Sequence, residues 1–188
     1  MRIEELITNI NYKHLGMYLL AGVVSGLFCQ LIYADHDVWK YVGPSLVLGV
    51  MIALAGRYIS KITPDNALLS PLILILACGV GWFLAFEFGV KAVVNNWPYL
   101  YIGSGIIGGT GVAVGLVVAW KLQKAWVVSA VIAFAGGLGG LVLRFLDLDD
   151  NENFPLFAVW QGIVFLGIGF AIQIDSRKLL PSVFSPKA

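Results

Sequence analysis

Six long apolar stretches follow one another along this 188-residue chain, separated by short polar loops. They lie near residues 15–33, 43–60, 71–93, 99–120, 125–146 and 155–174. Each approaches the roughly 20 residues that a helix needs to cross the hydrocarbon core of a bilayer. The runs are continuous, whereas a membrane-spanning strand alternates apolar and polar residues. The pattern therefore predicts an all-α integral membrane protein, a six-helix transmembrane bundle.

Composition agrees with this class, since 59% of the residues are hydrophobic and only 12% are charged. We expect a transmembrane domain over residues 15–178 and a cytoplasmic tail over 179–188, with no separate soluble domain. The first span follows fourteen fairly polar residues, and no cleavage site of the small-x-small type comes after it. It is therefore predicted to be an uncleaved signal-anchor. Within residues 1–14, apolar Ile3, Leu6, Ile7 and Ile10 recur at helical spacing. This spacing predicts an interfacial amphipathic helix, with a frayed terminus as the alternative.

Basic residues in the loops indicate the orientation. Nine of the 12 Lys and Arg residues fall on the side of both termini: Arg2, Lys13, Arg57, Lys61, Lys121, Lys124, Arg177, Lys178 and Lys187. Because cytoplasmic loops carry an excess of Lys and Arg, both termini are predicted to lie inside. We expect a multi-pass protein of a bacterial inner membrane.

The spans group into three similar hairpins. The first helix of each carries a cluster of small residues, and a proline is predicted to open the second helix, at Pro44, Pro98 and Pro155. The hairpins could be an internal repeat, or could reflect features common to many membrane proteins. The number of hairpins resembles that of mitochondrial carriers, but the charged residues that follow the carrier prolines are absent after these three.

Glycines in the fourth and fifth spans predict close helix packing. They form small-x-x-x-small pairs: Gly105 with Gly109, Gly111 with Gly115, and Gly136 with Gly140. Small residues let helix backbones approach each other in lipid, where no hydrophobic force drives association. We therefore expect spans four and five to be the interior helices or to form a subunit interface.

A few polar side chains within or near the spans are candidates for a solute pathway, because ionisable groups at membrane depth are costly. They are Glu87, Lys91, Arg144, Arg57, Gln30 and Gln161. Glu87 and Arg144 could pair near the outer mouth of the bundle, or each could extend to water beside a charged neighbour on its own helix. The two glutamines are expected to hydrogen-bond between helices.

Sites of chemistry are few, and the sequence predicts neither an enzyme nor a cofactor or metal site. Asp35-His36-Asp37 offers too few ligands for a good metal cage, and the loop that starts at Asp147 has Glu152 where a calcium loop needs glycine. Cys29 and Cys78 lie inside spans and are expected to behave as small hydrophobic residues. We expect no nucleic-acid partner.

Two functions remain for such a chain. One is a transporter- or channel-like protein that binds or passes a small solute or ion. The other is a non-catalytic anchor, scaffold or partner-gated pore-forming subunit in a larger complex. In either case the partners expected are the lipid bilayer, further copies of the chain or other membrane subunits.

The six spans and small size also resemble the vitamin-binding components of energy-coupling transporters. Ala21 and Ser25 form a small-x-x-x-small pair in the first span, where those proteins use such a pair to meet their partner. The resemblance implies a solute-binding bundle with a membrane partner. This pair alone does not assign a family.

Overall fold

The computed structural model describes residues 10–35, 39–97, 99–146 and 156–176, and this part of the chain is all-helical. It forms six helices: α1 (Tyr12–Asp35), α2 (Trp39–Tyr58), α3 (Leu69–Val94), α4 (Leu100–Trp120), α5 (Ala125–Phe145) and α6 (Leu156–Ser176). Each predicted apolar stretch coincides with one helix. The all-α class is therefore confirmed.

The apolar part of α2 is shorter than that of the other five helices. Among the described residues, α1 and α3 to α6 are long and apolar enough to cross a membrane. The apolar part of α2, Val42–Tyr58, is shorter. The structure therefore supports a polytopic membrane protein with at least five candidate spans.

Polar side chains define several helix starts. Asn11 precedes α1, and its side-chain oxygen accepts a hydrogen bond from the backbone N–H of His14 at 3.0 Å. Asn66 does the same before α3 for the N–H groups of Leu68 and Leu69, each at 3.0 Å. Such caps satisfy backbone donors that have no partner within the helix. Lys121 ends α4 in the left-handed conformation, with φ at 51°.

Each helix packs against the next along the chain, and α6 packs back against α1. All six helices contribute to one apolar core, which includes Tyr18, Leu48, Ile52, Leu74, Val112, Leu116, Val128, Ile132, Phe165 and Ile168. The most buried helix is α6, since 72% of its most apolar stretch is buried, against 39% in α4 and 44% in α5. The fourth and fifth spans, expected to be the interior helices or to form a subunit interface, are the next most buried, against 28% in each of α1 and α3; the sequence did not indicate that α6 would be more buried than either. Glycine content indicates close approach, but the most enclosed helix carries large side chains as well.

Pro44 corrects a second expectation. It lies inside α2 rather than opening it, because the helix already begins at Trp39. Pro98 and Pro155 lie outside the described residues, so the three hairpins remain a prediction.

Several other predictions concern residues outside the described part of the chain. Most of the predicted interfacial segment and the whole tail at 179–188 lie outside it, as do His36, Asp37 and the loop from Asp147 to Asn153. The first helix begins at Tyr12, so the last residues of the predicted segment 1–14 belong to α1.

Candidate functional site

A cavity of about 700 Å³ lies between α3, α4, α5 and α6. It occupies the end of the bundle where α3 and α5 finish and α4 and α6 begin. Aromatic side chains from three of these helices line it: Trp82, Phe86, Tyr101, Phe157 and Trp160. We call it the aromatic cavity. Its volume falls in the range of roughly 300–1,000 Å³ that is usual for small-molecule sites.

Small residues and large aromatic residues together shape this cavity. A Cβ added at Gly108 would lie 3.0 Å from the Trp160 ring, and one added at Gly139 would lie 2.9 Å from it. The indole therefore fits where α4 and α5 have no side chains. Across the cavity, Trp82 of α3 and Phe157 of α6 contact each other, with ring centroids 5.4 Å apart. These contacts fix the walls while leaving the space between them open.

Polar atoms are few in the cavity wall, and they differ in how they are satisfied. The indole N–H of Trp160 donates a hydrogen bond to the backbone oxygen of Gly136 at 3.2 Å. The indole N–H of Trp82 and the hydroxyl of Ser104 are buried and have no hydrogen-bond partner among the described residues. Both residues line the cavity, but these two atoms lie beneath its surface, where they are buried and unsatisfied.

Arg144 marks the rim of the aromatic cavity. It lies in the last turn of α5 and is exposed, and its guanidinium carbon is 5.9 Å from the ring centroid of Tyr101, which lines the cavity. This is the range of a cation–π contact. Glu87 is half-buried and Lys91 is exposed, and neither lines the cavity. Within the described residues, Glu87 forms no ion pair with Arg144 or with Lys91.

The other predicted polar residues lie apart from the cavity. Gln161 is buried on α6, and its side-chain N–H donates to the sulfur of Cys29 on α1 at 3.1 Å. The side-chain oxygen of Gln30 has no partner within the part of the chain that the structure describes. Arg57 is exposed in the last turn of α2, 5.9 Å from the Tyr58 ring.

The predicted packing glycines lie at helix contacts. A Cβ at Gly105 would come within 2.2 Å of the Gly136 oxygen, and one at Gly109 within 2.7 Å of the Ile132 oxygen. A Cβ at Gly140 would come within 2.0 Å of the Tyr101 oxygen. These three glycines and Gly136 therefore lie where α4 and α5 touch backbone to backbone.

Gly111 and Gly115 face the other neighbour of α4. Cβ atoms there would lie 2.5 Å from Gly81 and 2.9 Å from Ala77, both on α3. Above this contact runs an apolar groove of about 590 Å³, lined by side chains such as Leu76, Val80, Leu84, Ile106 and Val114. We call it the α3–α4 groove.

A polar cluster at the opposite end of the bundle was missed by sequence reasoning. Tyr18, fully buried in α1, shares a hydrogen bond of 2.7 Å with Ser60, and Ser60 contacts the His14 ring nitrogen at 3.3 Å. The backbone N–H of Asn11 donates to Gln173 of α6 at 2.9 Å. These bonds tie α1 to the α2–α3 loop and to α6. A tyrosine within an apolar span was the available signal, since its hydroxyl needs a partner when buried.

Asp65 and Lys121 form an exposed ion pair at this same end. The ammonium of Lys121 donates to the Asp65 carboxylate, which holds the pKa of Asp65 below its usual value and that of Lys121 above its own. The pair joins the loop before α3 to the turn after α4. These two connections therefore lie on one side of the bundle.

Within the described residues, no cluster of three or more His, Cys, Asp or Glu side chains could hold a metal ion. Comparison of the chain with protein-family models, curated proteins and solved structures gives no match.

Proposed function

We propose that this chain is a non-catalytic, six-span membrane protein of the transporter-like kind, which binds a small apolar molecule in the aromatic cavity. The observation that carries the proposal is the cavity itself, a space of about 700 Å³ with aromatic walls from three helices and few polar atoms. Ligand sites are typically concave and mostly apolar, with a small number of polar groups that fix orientation. Binding is the step that this geometry supports, and passage across the bilayer is the extension that we propose from it.

The proposed topology has both termini inside, with the aromatic cavity in the outer half of the bundle. The Asp65–Lys121 pair supports it, because it brings together two connections that also carry Lys61 and Lys124, and Arg57 lies in the last turn of α2 beside them. Basic connections are retained on the cytoplasmic side. We propose a bacterial inner membrane as the location on the same grounds.

Topology can be tested with single cysteines and a membrane-impermeant thiol reagent on intact cells. Asn95→Cys, in the exposed connection after α3, should react from outside. Lys61→Cys, in the exposed connection after α2, should react only after the membrane is opened. The reverse pattern would refute the proposed orientation.

Binding can be tested by quenching of tryptophan fluorescence, because Trp82 and Trp160 line the cavity. The probe is 1-bromodecane, an apolar molecule with a heavy-atom quencher, added to the protein in lipid nanodiscs. We expect quenching with a saturable component above the linear effect of partitioning into lipid. Flux of an apolar solute in liposomes then tests passage separately.

A filling variant and a matched control make the binding test specific. A Cβ at Gly89 would lie 3.4 Å from the Ser104 hydroxyl oxygen and 3.7 Å from Leu100, both in the cavity wall, so Gly89→Leu should occupy the space. Gly16 has no atom within 4 Å of an added Cβ, so Gly16→Leu should change nothing. The proposal fails if the wild type shows no saturable quenching, or if Gly89→Leu retains it in full.

A second candidate function rests on the α3–α4 groove. It is apolar except for Thr110, and large side chains of α3 beside it, such as Leu76 and Val80, are exposed. An anchor or scaffold subunit would cover this groove with a helix of another subunit or of a second copy. Val80→Trp should then reduce association in mild detergent, whereas Val118→Trp, on an exposed position outside the groove, should not. A chain that stays monomeric and without stoichiometric partners would contradict this candidate.

A further inference from the structure

We infer that the aromatic cavity takes an amphiphile with an apolar chain and an anionic head group, with the chain between the aromatic walls and the head group on Arg144. The inference rests on the proposed binding function and adds the chemical class of the ligand. It is carried by the position of Arg144, which is exposed and lies at the rim of a cavity whose described lining is uncharged.

Arg144 lies directly beside the lining of the cavity. Leu143, the residue before it in α5, lines the cavity, and so does Gly140 one turn earlier. Four residues of helix span only about 6 Å. The guanidinium carbon of Arg144 lies 5.9 Å from the ring centroid of Tyr101, which also lines the cavity. A chain that fills the cavity as far as Tyr101 therefore brings its end within reach of the guanidinium.

The cavity is accessible at this end of the bundle. Three of its lining residues, Val90, Val93 and Val94, are exposed, and all three lie in the last turns of α3. Helix ends of a membrane bundle lie near the boundary with water, where long basic side chains extend to the interface. An apolar chain can therefore enter here while its polar end stays at that boundary.

The charges around this opening favour an anion over a cation. Among the described residues of α3 to α6, the charged side chains at this end are Glu87, Lys91 and Arg144, two positive and one negative. Arg144 forms no ion pair within the described ranges. A guanidinium offers several N–H donors in a planar fork that matches a carboxylate or a phosphate. An anionic head group therefore gains charge-assisted hydrogen bonds that a neutral or cationic one does not.

The uncharged wall determines where the head group lies. An ion inside the cavity would lose its hydration without gaining a countercharge, because none of the described lining side chains is charged. At the exposed Arg144 the same group keeps part of its hydration and gains a countercharge. The chain and the head group are therefore held by different parts of the site.

The experiment compares three competitors of 1-bromodecane that share a decyl chain. Decyl sulfate is anionic, decanol is neutral and decyltrimethylammonium is cationic. The protein is held in nanodiscs of zwitterionic lipid, and each value is corrected for partitioning into lipid without protein. We expect decyl sulfate to displace the quencher at about fivefold lower concentration than decanol, which corresponds to about 1 kcal/mol for an exposed ion pair. Decyltrimethylammonium should be the weakest of the three, and high salt should reduce the differences.

Two arginine variants assign the preference to one residue. Arg144→Gln should abolish the preference for decyl sulfate while leaving displacement by decanol nearly unchanged. Arg57→Gln is the matched control, because Arg57 is also exposed in a last helical turn and also lies 5.9 Å from a tyrosine ring, that of Tyr58, which does not line the cavity. This variant should keep the preference. Elution as a single species checks the folding of both variants.

Nanodiscs that contain anionic phosphatidylglycerol identify the source of the ligand. If the head group belongs to a membrane lipid, phosphatidylglycerol should reduce the saturable quenching by 1-bromodecane in the wild type but not in Arg144→Gln. Unchanged quenching in the wild type, together with the preference for decyl sulfate, assigns the site to a free amphiphile.

The outcomes separate the inference from the function on which it rests. Equal displacement by decyl sulfate and decanol in the wild type would overturn the inference and leave the apolar site standing; this is the result expected if the acidic residues that follow in the sequence, from Asp147 on, neutralise Arg144. A preference that survives Arg144→Gln, or that is lost in Arg57→Gln, would overturn the assignment to Arg144. No saturable quenching in the wild type would overturn the binding function and the inference together.

Discussion

The contact between α4 and α5 makes Gly136 a sensitive position. A Cβ there would lie 2.2 Å from the Gly105 oxygen, more than an ångström short of ordinary contact, and 3.0 Å from the Cα of Gly109. The obstacle is backbone, which cannot rotate away as a side chain can. The Gly136→Ala variant must therefore force the two helices apart along a seam where both lack side chains.

The magnitude follows from a comparison with Gly79→Ala. Gly79 lies within α3, and its added Cβ would meet its nearest atom, the Ser45 hydroxyl oxygen, at an ordinary 3.6 Å. Both variants gain the same intrinsic preference of alanine for helix, which is about 1 kcal/mol. Their difference therefore isolates the cost of overpacking, which is typically about 1–3 kcal/mol. We expect Gly136→Ala to be less stable than Gly79→Ala by that amount.

The free energy of unfolding can be measured for both variants by steric trapping or by denaturant titration in bicelles. The comparison requires that both variants elute as single species before titration. Equal stability of the two variants, or a more stable Gly136→Ala, would refute the argument that backbone contact holds α4 against α5. Loss of stability in both would point instead to a general intolerance of larger residues in the spans.

Three further predictions concern single interactions. Trp160→Phe removes the indole hydrogen bond to α5 and part of the ring packed against Gly108 and Gly139. It should lower the free energy of unfolding by at least about 1 kcal/mol in the same titration, and an unchanged value would contradict these contacts. Ser60→Ala leaves the buried Tyr18 hydroxyl without its 2.7 Å partner and should cost about 1–3 kcal/mol, part of which Tyr18→Phe should restore in the double variant. Lys121→Met should raise the pKa of Asp65 toward 3.8, as followed by carboxyl NMR. Because Lys121 lowers that pKa, the small contribution of the pair to the free energy of unfolding is present above pH 3.8 and is lost as the pH falls through the lower folded-state pKa. An Asp65 pKa that is the same with and without the substitution would refute the coupling.

The positions of the helices could be predicted because each depends on local sequence. Apolar length alone placed all six helices to within a few residues. The contact of Gly105 with Gly136 lies where the small-residue pattern pointed, because close approach in lipid depends strongly on the absence of side chains. The high burial of α6 was not predictable in the same way, since it depends on how all the helices pack together.

The aromatic cavity lay beyond sequence reasoning for a related reason. A void forms where the side chains of several helices do not fill the space between them. The sequence of any one helix therefore does not predict it. The sequence analysis selected ionisable residues as candidates for the site, but Glu87 and Lys91 do not line the cavity. Trp82 was the overlooked signal. Tryptophan in membrane proteins is enriched near the interfaces, and Trp82 lies well inside α3 instead.

The burial of α6 has a consequence for biogenesis. Of the six described helices it is the last to be synthesised, yet it is the most buried in the finished bundle. Until it enters the bilayer, α1 and α5 lack a packing partner that each has in the finished bundle. We therefore expect α1 and α5 to stay incompletely packed until α6 is inserted, with the faces that it later covers exposed to lipid. Slow synthesis just before α6 would lengthen that exposure and give membrane proteases more time to act on the unfinished protein.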